Sequence, residues 1–157
     1  MNVPVPALVR RPHGVTTPLT DVYWQAAEQG RLLLQRCTAC GHLQHYPRTL
    51  CSSCWCDDLT WVDASGRGRV ATATVVHMPG HPAWQSETPY VLALVELDEG
   101  PRLMTNVVGV APDSVTVGDR VRLAPAPGDP SLDGPALLQF TPCDTASPRC
   151  YVKEMKR

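Results

Sequence analysis

Two pairs of cysteines constrain this chain more than any other feature. Cys37 and Cys40 form one C-x2-C pair, Cys51 and Cys54 a second, and ten residues lie between them. Short C-x2-C loops turn the backbone back, so both sulfurs of a pair point inward, and two such knuckles build a tetrahedral four-thiolate cage. Gly41, directly after Cys40, suits the tight turn that ends a knuckle. A cage of four thiolates has no open coordination position, so the ion holds structure and does not activate water. Zinc is the expected ion; iron in a rubredoxin-like site also uses two C-x2-C pairs and stands as the alternative. A ribbon of about thirty residues has little core of its own and depends on the metal to fold.

The remaining cysteines are read differently. Cys56 is a bystander close to the cage. Cys143 and Cys150, near the C-terminus, are read as free thiols, with pairing as the alternative. No motif places a base beside any cysteine, so no catalytic residue is assigned.

The chain has 157 residues, 43 % of them apolar, which allows a small metal module and one further domain. Its formal charge of −1 lacks the basic excess of a nucleic-acid binder. Sixteen prolines and eleven glycines mark many turns and favour β structure. No apolar run reaches the ~18 residues that span a bilayer. The start, MNVPVPALVRRPHG, has its arginines after the apolar stretch, the reverse of a secretory signal. A cytoplasmic location is therefore expected, where clustered cysteines bind metal more often than they pair.

Four segments are expected: an extended arm over 1–19, a helix plus metal ribbon over 20–64, a barrel over 65–142 and a tail over 143–157. Thr20 and Asp21 offer N-cap chemistry to a short helix, DVYWQAAEQG, that Gly30 stops. Val22, Tyr23, Ala26 and Ala27 would share one of its faces. Arg31–Gln35 reads as a strand into the first knuckle. From Gly66 the period becomes two: Val70, Thr72, Thr74 and Val76 against Ala71, Ala73, Val75 and His77. YVLALVEL (90–97), apolar on both faces, RLMTNVVGV (102–110), RVRLAP (120–125) and LLQFT (137–141) complete five strands. Five short strands with glycine-marked bends suit an OB-fold barrel.

The succession LLLQRCTACGHLQHYPRTLCSSC, SGRGRVATATVVH, HPAW, PYVLALVELDEGPRL and VGDRVRL resembles the zinc-ribbon plus OB-fold proteins that accompany thiolase-like acyl-CoA enzymes, formerly a domain of unknown function. The resemblance covers roughly residues 18–142 and matches all four ligand cysteines. It implies an accessory subunit without catalytic residues. Its partner would be a thiolase-fold enzyme, such as a lipid-transfer-type aldolase, a thiolase or an acyltransferase, and in some cases a MaoC-type hydratase. Acyl-CoA would pass near the interface.

Several residues are candidates for contact with a ligand or partner. His77, His81 and Tyr90 flank the loop between the first two barrel strands, at a rim where OB-folds meet ligands. Tyr23 and Trp24 are large aromatics on the short helix. Trp55 sits at a knuckle tip with little core to receive it. Arg31, Arg36, Arg48, Arg67 and Arg69 are read as a solvated face, with contacts to a CoA phosphate as the alternative. Two other functions compete. One is a single-stranded nucleic-acid module, which needs a basic groove with stacking aromatics; residues 66–141 hold only Trp84, Tyr90 and Phe140. The other is a rubredoxin-like electron carrier.

Overall fold

The computed structural model describes residues 16–124 and 137–143. The expected N-terminal arm and C-terminal tail fall largely outside them, as does Cys150. One helix, α1 (Asp21–Glu28), precedes a three-stranded ribbon sheet of β1 (Leu33–Cys37), β2 (Leu43–Gln44) and β3 (Leu59–Asp63), in the order β2-β1-β3. Five further strands close a barrel: β4 (Arg67–Val76), β5 (Tyr90–Leu97), β6 (Arg102–Val107), β7 (Arg120–Leu123) and β8 (Phe140–Pro142). No helix among the described residues is long and apolar enough to cross a membrane.

Helix α1 begins differently from expectation. Thr20 occupies the N-cap position but lies in the right-handed region, and its side chain caps no helix N–H. Its hydroxyl accepts instead from the Thr17 N–H at 2.9 Å. The end follows the glycine rule. Gly30 has φ 70°, its N–H donates to Ala27 O, and the Arg31 N–H donates to Ala26 O. This Schellman pattern satisfies the last carbonyls. It also uses Arg31, so β1 starts two residues later than expected. Tyr23, Ala26 and Ala27 face inward, whereas Val22 is 43 % exposed and leaves the expected apolar face.

Leu32, Leu33 and Leu34 are all buried, and they join α1 to the barrel interior in one continuous apolar cluster with Val70, Val91, Val95, Val121 and Phe140. Trp61 and Val62 belong to β3 and pair with Gln35 and Leu34.

The barrel runs in the order β4-β5-β6-β8-β7. β6 and β8 are parallel, the other pairs antiparallel, and β7 returns to β4 to close the ring. This is a five-stranded OB-fold. β4 serves two neighbours: Arg67–Arg69 pair with β7, and the strand from Gly68 to Val76 follows β5. A bulge between Val70 and Thr72 makes the bend possible. It also breaks the expected alternation, because Val70 is buried while Thr72 and Thr74 are exposed. The Asp98 N–H donates to Arg67 O, and Arg120 binds the Asp98 carboxylate through two nitrogens at 2.7 and 2.9 Å. That pair ties the end of β5 to the start of β7.

Gly68 of β4 packs close against the backbone of β5. A Cβ there would strike Glu96 O and lie 2.8 Å from Val95 Cγ1. Gly68→Ala should therefore lower stability by about 1–3 kcal/mol, seen as a fall in Tm. Gly80→Ala, where a Cβ meets nothing within 4 Å, should leave Tm unchanged.

Asp98 gives a second expectation. The bond from Arg120, with its charge and those of Arg67 and Arg69, holds the Asp98 carboxyl below its ordinary value. A depressed folded pKa gives stability that is present above the ordinary Asp value of about 4 and lost as pH falls through the folded value. Asp98→Asn should weaken the fold at neutral pH and reduce the loss of stability below about pH 4. Thermal melts of both proteins across that range check this.

Candidate metal centre

The two knuckles are built alike. In the first, the Gly41 N–H donates to Cys37 O at 2.9 Å and the Cys37 N–H to His42 O at 2.9 Å; in the second, Trp55 N–H donates to Cys51 O at 3.0 Å and Cys51 N–H to Cys56 O at 2.8 Å. Gly41 and Trp55 hold the same place, and both have positive φ, 73° and 64°. Glycine takes that conformation freely, while an L-residue in it is disfavoured by about 1–2 kcal/mol. Trp55 is the one non-glycine residue with positive φ among the described residues.

This geometry brings the four cysteine sulfurs within 4.8 Å of one another. Cys37 Sγ lies 3.5 Å from Cys54 Sγ, and Cys40 Sγ 3.7 Å from Cys51 Sγ. Zinc–sulfur bonds of about 2.3 Å in a tetrahedron give edges of about 3.8 Å, so the donor set fits a zinc ion. Cys37 and Cys51 are buried; Cys40 and Cys54 are exposed.

The thiols also show why a cation belongs there. The Cys40 backbone N–H, with the Cys54 side chain, holds Cys37 down to about 7. At Cys54 the Cys56 backbone N–H favours the thiolate, yet the neighbouring Cys40 and Cys37 sulfurs outweigh it and push the group up to about 12. Four sulfurs this close cannot all carry charge unless an ion neutralises them.

Two buried glutamines hold the loop that carries the second knuckle. Gln35 Oε1 accepts from the Arg48 N–H at 2.8 Å and from Gln44 Nε2 at 3.0 Å, and Gln35 Nε2 donates to Arg48 O at 3.1 Å. Gln44 Oε1 accepts from the Ser52 N–H at 2.9 Å. Sequence reasoning missed this brace. A signal was present: the strand period of two puts Gln35 on the same face of β1 as Cys37. Between the knuckles, His42 Nε2 and Ser52 Oγ share a hydrogen bond of 3.1 Å.

Cys56 stays outside the cage, where its Sγ accepts from the Asp58 N–H. Cys143 is disulfide-bonded, which corrects its reading as a free thiol.

The candidate contact residues fall into three places. His81 caps a 3-10 turn, Pro82–Glu87, through its Nδ1, which accepts from the Ala83 N–H at 3.2 Å. Tyr90, half-buried, stacks at a tilt 5.9 Å from Trp84 in that region, and His77 is exposed nearby in sequence. Tyr23 is in the core, and half-buried Trp24 meets it edge-on at 5.1 Å. The Tyr23 ring continues to His45 at 5.4 Å and on to Tyr46 at 4.3 Å from His45. Burial pushes His45 down to about 4 and Tyr23 up to about 12. Trp55 is 76 % exposed. Of the arginines, Arg31 pairs with Asp63 at 3.1 Å on the surface.

The double substitution Cys37→Ser and Cys40→Ser should take the zinc content of the purified chain from one equivalent to none and unfold the ribbon. Metal analysis and far-ultraviolet circular dichroism read the two effects. Iron in the wild-type chain in place of zinc would contradict the zinc assignment.

Family models match both parts of the chain: the ChsH2 rubredoxin-like zinc ribbon domain over residues 24–60, and the ChsH2 C-terminal OB-fold domain over residues 61–124. The solved structure of an Ltp2-ChsH2(DUF35) aldolase has a chain 44 % identical, with a TM-score of 0.71, matched over 84 % of this chain and 98 % of that one. A "probable enoyl-CoA hydratase alpha subunit" of Thermomonospora curvata is 46 % identical over 123 residues, which are 78 % of this chain but only 38 % of that subunit. A DUF35 domain-containing scaffold protein of Pyrococcus furiosus is 33 % identical over 102 residues, 64 % of this chain and 74 % of that protein. More distant, at 28 % over 105 residues, is a benzoylsuccinyl-CoA thiolase subunit, BbsA, of Geobacter metallireducens, matched over 67 % of this chain and 68 % of that one. With a four-cysteine ribbon running into an OB barrel and these matches along both, the chain belongs to the ChsH2 (DUF35) family of zinc-ribbon and OB-fold proteins.

Proposed function

We propose that the chain is a non-catalytic accessory subunit that docks on a thiolase-fold acyl-CoA enzyme, an aldolase, thiolase or acyltransferase, and helps form its acyl-CoA channel. One observation carries this reading. The chain shares 44 % identity over 98 % of the matched chain with a protein solved as part of an Ltp2-ChsH2(DUF35) aldolase, and its cysteine cage is of a kind that builds structure and leaves no site for substrate. Relatives named as hydratase and thiolase subunits fit the same role.

In this reading the chain divides near residue 64 into a docking ribbon and a barrel that faces the channel. The loop 78–89, with His77 and His81 before it or within it and Tyr90 behind it, lies at the channel mouth. The partner supplies the catalytic groups, and both work in the cytoplasm. His77 or His81 would meet a CoA phosphate or a partner carboxylate there.

Affinity purification of the tagged full chain from its native cells, with mass spectrometry of what remains bound, tests this. A thiolase-fold protein at stoichiometric amount is the expected result. The Cys37→Ser, Cys40→Ser chain should retain none of it. A chain that elutes alone, or turnover of acyl-CoA by the purified chain itself, would refute the proposal.

A further inference from the structure

Trp55 burdens the fold that carries it. Its position at the end of the second knuckle is the counterpart of Gly41 in the first, with the same backbone bonds and the same positive φ. Glycine would meet that requirement without strain. The indole is 76 % exposed and stacks on no ring among the described residues. Trp55 therefore adds nothing visible to the stability of the isolated chain, and both its conformation and its exposed apolar surface count against it.

We infer that Trp55 is the anchor by which the second knuckle seats in an apolar pocket of the partner protein. The inference rests on the accessory reading given above and names the surface that the reading leaves open. Tryptophan is enriched among the residues that dominate interface energies. The metal cage below fixes its backbone in advance, which reduces the entropy lost on docking.

The surroundings indicate the pocket's chemistry. Asp57, two residues on, is exposed and makes no ion pair among the described residues. Asp58 follows, its carboxylate accepting from the Thr38 hydroxyl at 2.7 Å. An apolar anchor beside two carboxylates fits a protein pocket rimmed by Lys or Arg. The same carboxylates disfavour a phosphate backbone, so base stacking by this indole is not the role assigned.

The test uses the full chain and the purified thiolase-fold subunit recovered in the experiment above. Trp55→Gly should keep one equivalent of zinc and melt at the wild-type temperature or higher, yet bind that subunit roughly thirtyfold more weakly, the size of effect that defines an interface hot spot. Trp55→Asn, which also tolerates positive φ, gives the same comparison if the glycine variant does not fold. Asp57→Lys should weaken binding and flatten its dependence on salt. Equal affinity of Trp55→Gly and wild type overturns the anchor while leaving the accessory reading intact. Loss of zinc or of the fold in both Trp55 variants also overturns it, because the indole would then be holding the knuckle. Absence of any complex with the wild-type chain overturns both proposals. Retention of a single-stranded RNA by wild type but not by Trp55→Gly replaces the protein pocket with a stacked base.

Discussion

Mutual repulsion of four sulfurs, relieved by one divalent ion, is the interaction on which the ribbon depends. Apart from the cage, the two loops are linked by a two-residue strand, the side-chain bonds from Gln35 and Gln44 and the His42–Ser52 hydrogen bond. Neutralisation by the ion makes the crowded arrangement favourable. Once β1 is held, Leu32 just before it and Leu33 and Leu34 at its start are buried, and these side chains continue the core from α1 into the barrel. The metal thus acts on the barrel at a distance, by fixing the strand that supplies part of the shared core.

The barrel depends on a different constraint, the closeness of its backbones. β4 must follow β5 on one side and β7 on the other. Gly68 allows the approach, and the bulge after Val70 turns the strand. Asp98 and Arg120 fasten the seam from outside the core. These devices lie within a few residues of one another, so the place where the ribbon enters the barrel is also the place where the barrel shuts.

Much of this was legible in the residues. Cysteine spacing gave the cage because ligand geometry leaves few alternatives, and the strand 90–97 was readable to its ends because turn residues bound it on both sides. The misses have physical causes. Thr20 bonds backward to Thr17, a local choice open to any hydroxyl. The face of β4 inverts at a bulge, which a strict period of two cannot represent. β3 lacks clear alternation because both of its faces are partly covered. The glutamine brace and the aromatic row from Trp24 to Tyr46 arise only when distant segments meet.

The place of β8 in the ring bears on how the chain comes to its shape. Phe140 is fully buried in the middle of the core, and its strand lies between β6 and β7. As the chain leaves the ribosome, the ribbon is complete and able to take up its ion long before this strand emerges. Until then β6 and β7 are open edges, each able to pair with a foreign strand. β8, the last strand among the described residues, is thus a keystone: a product cut short ahead of it would carry a finished metal module on an unclosed, self-associating sheet.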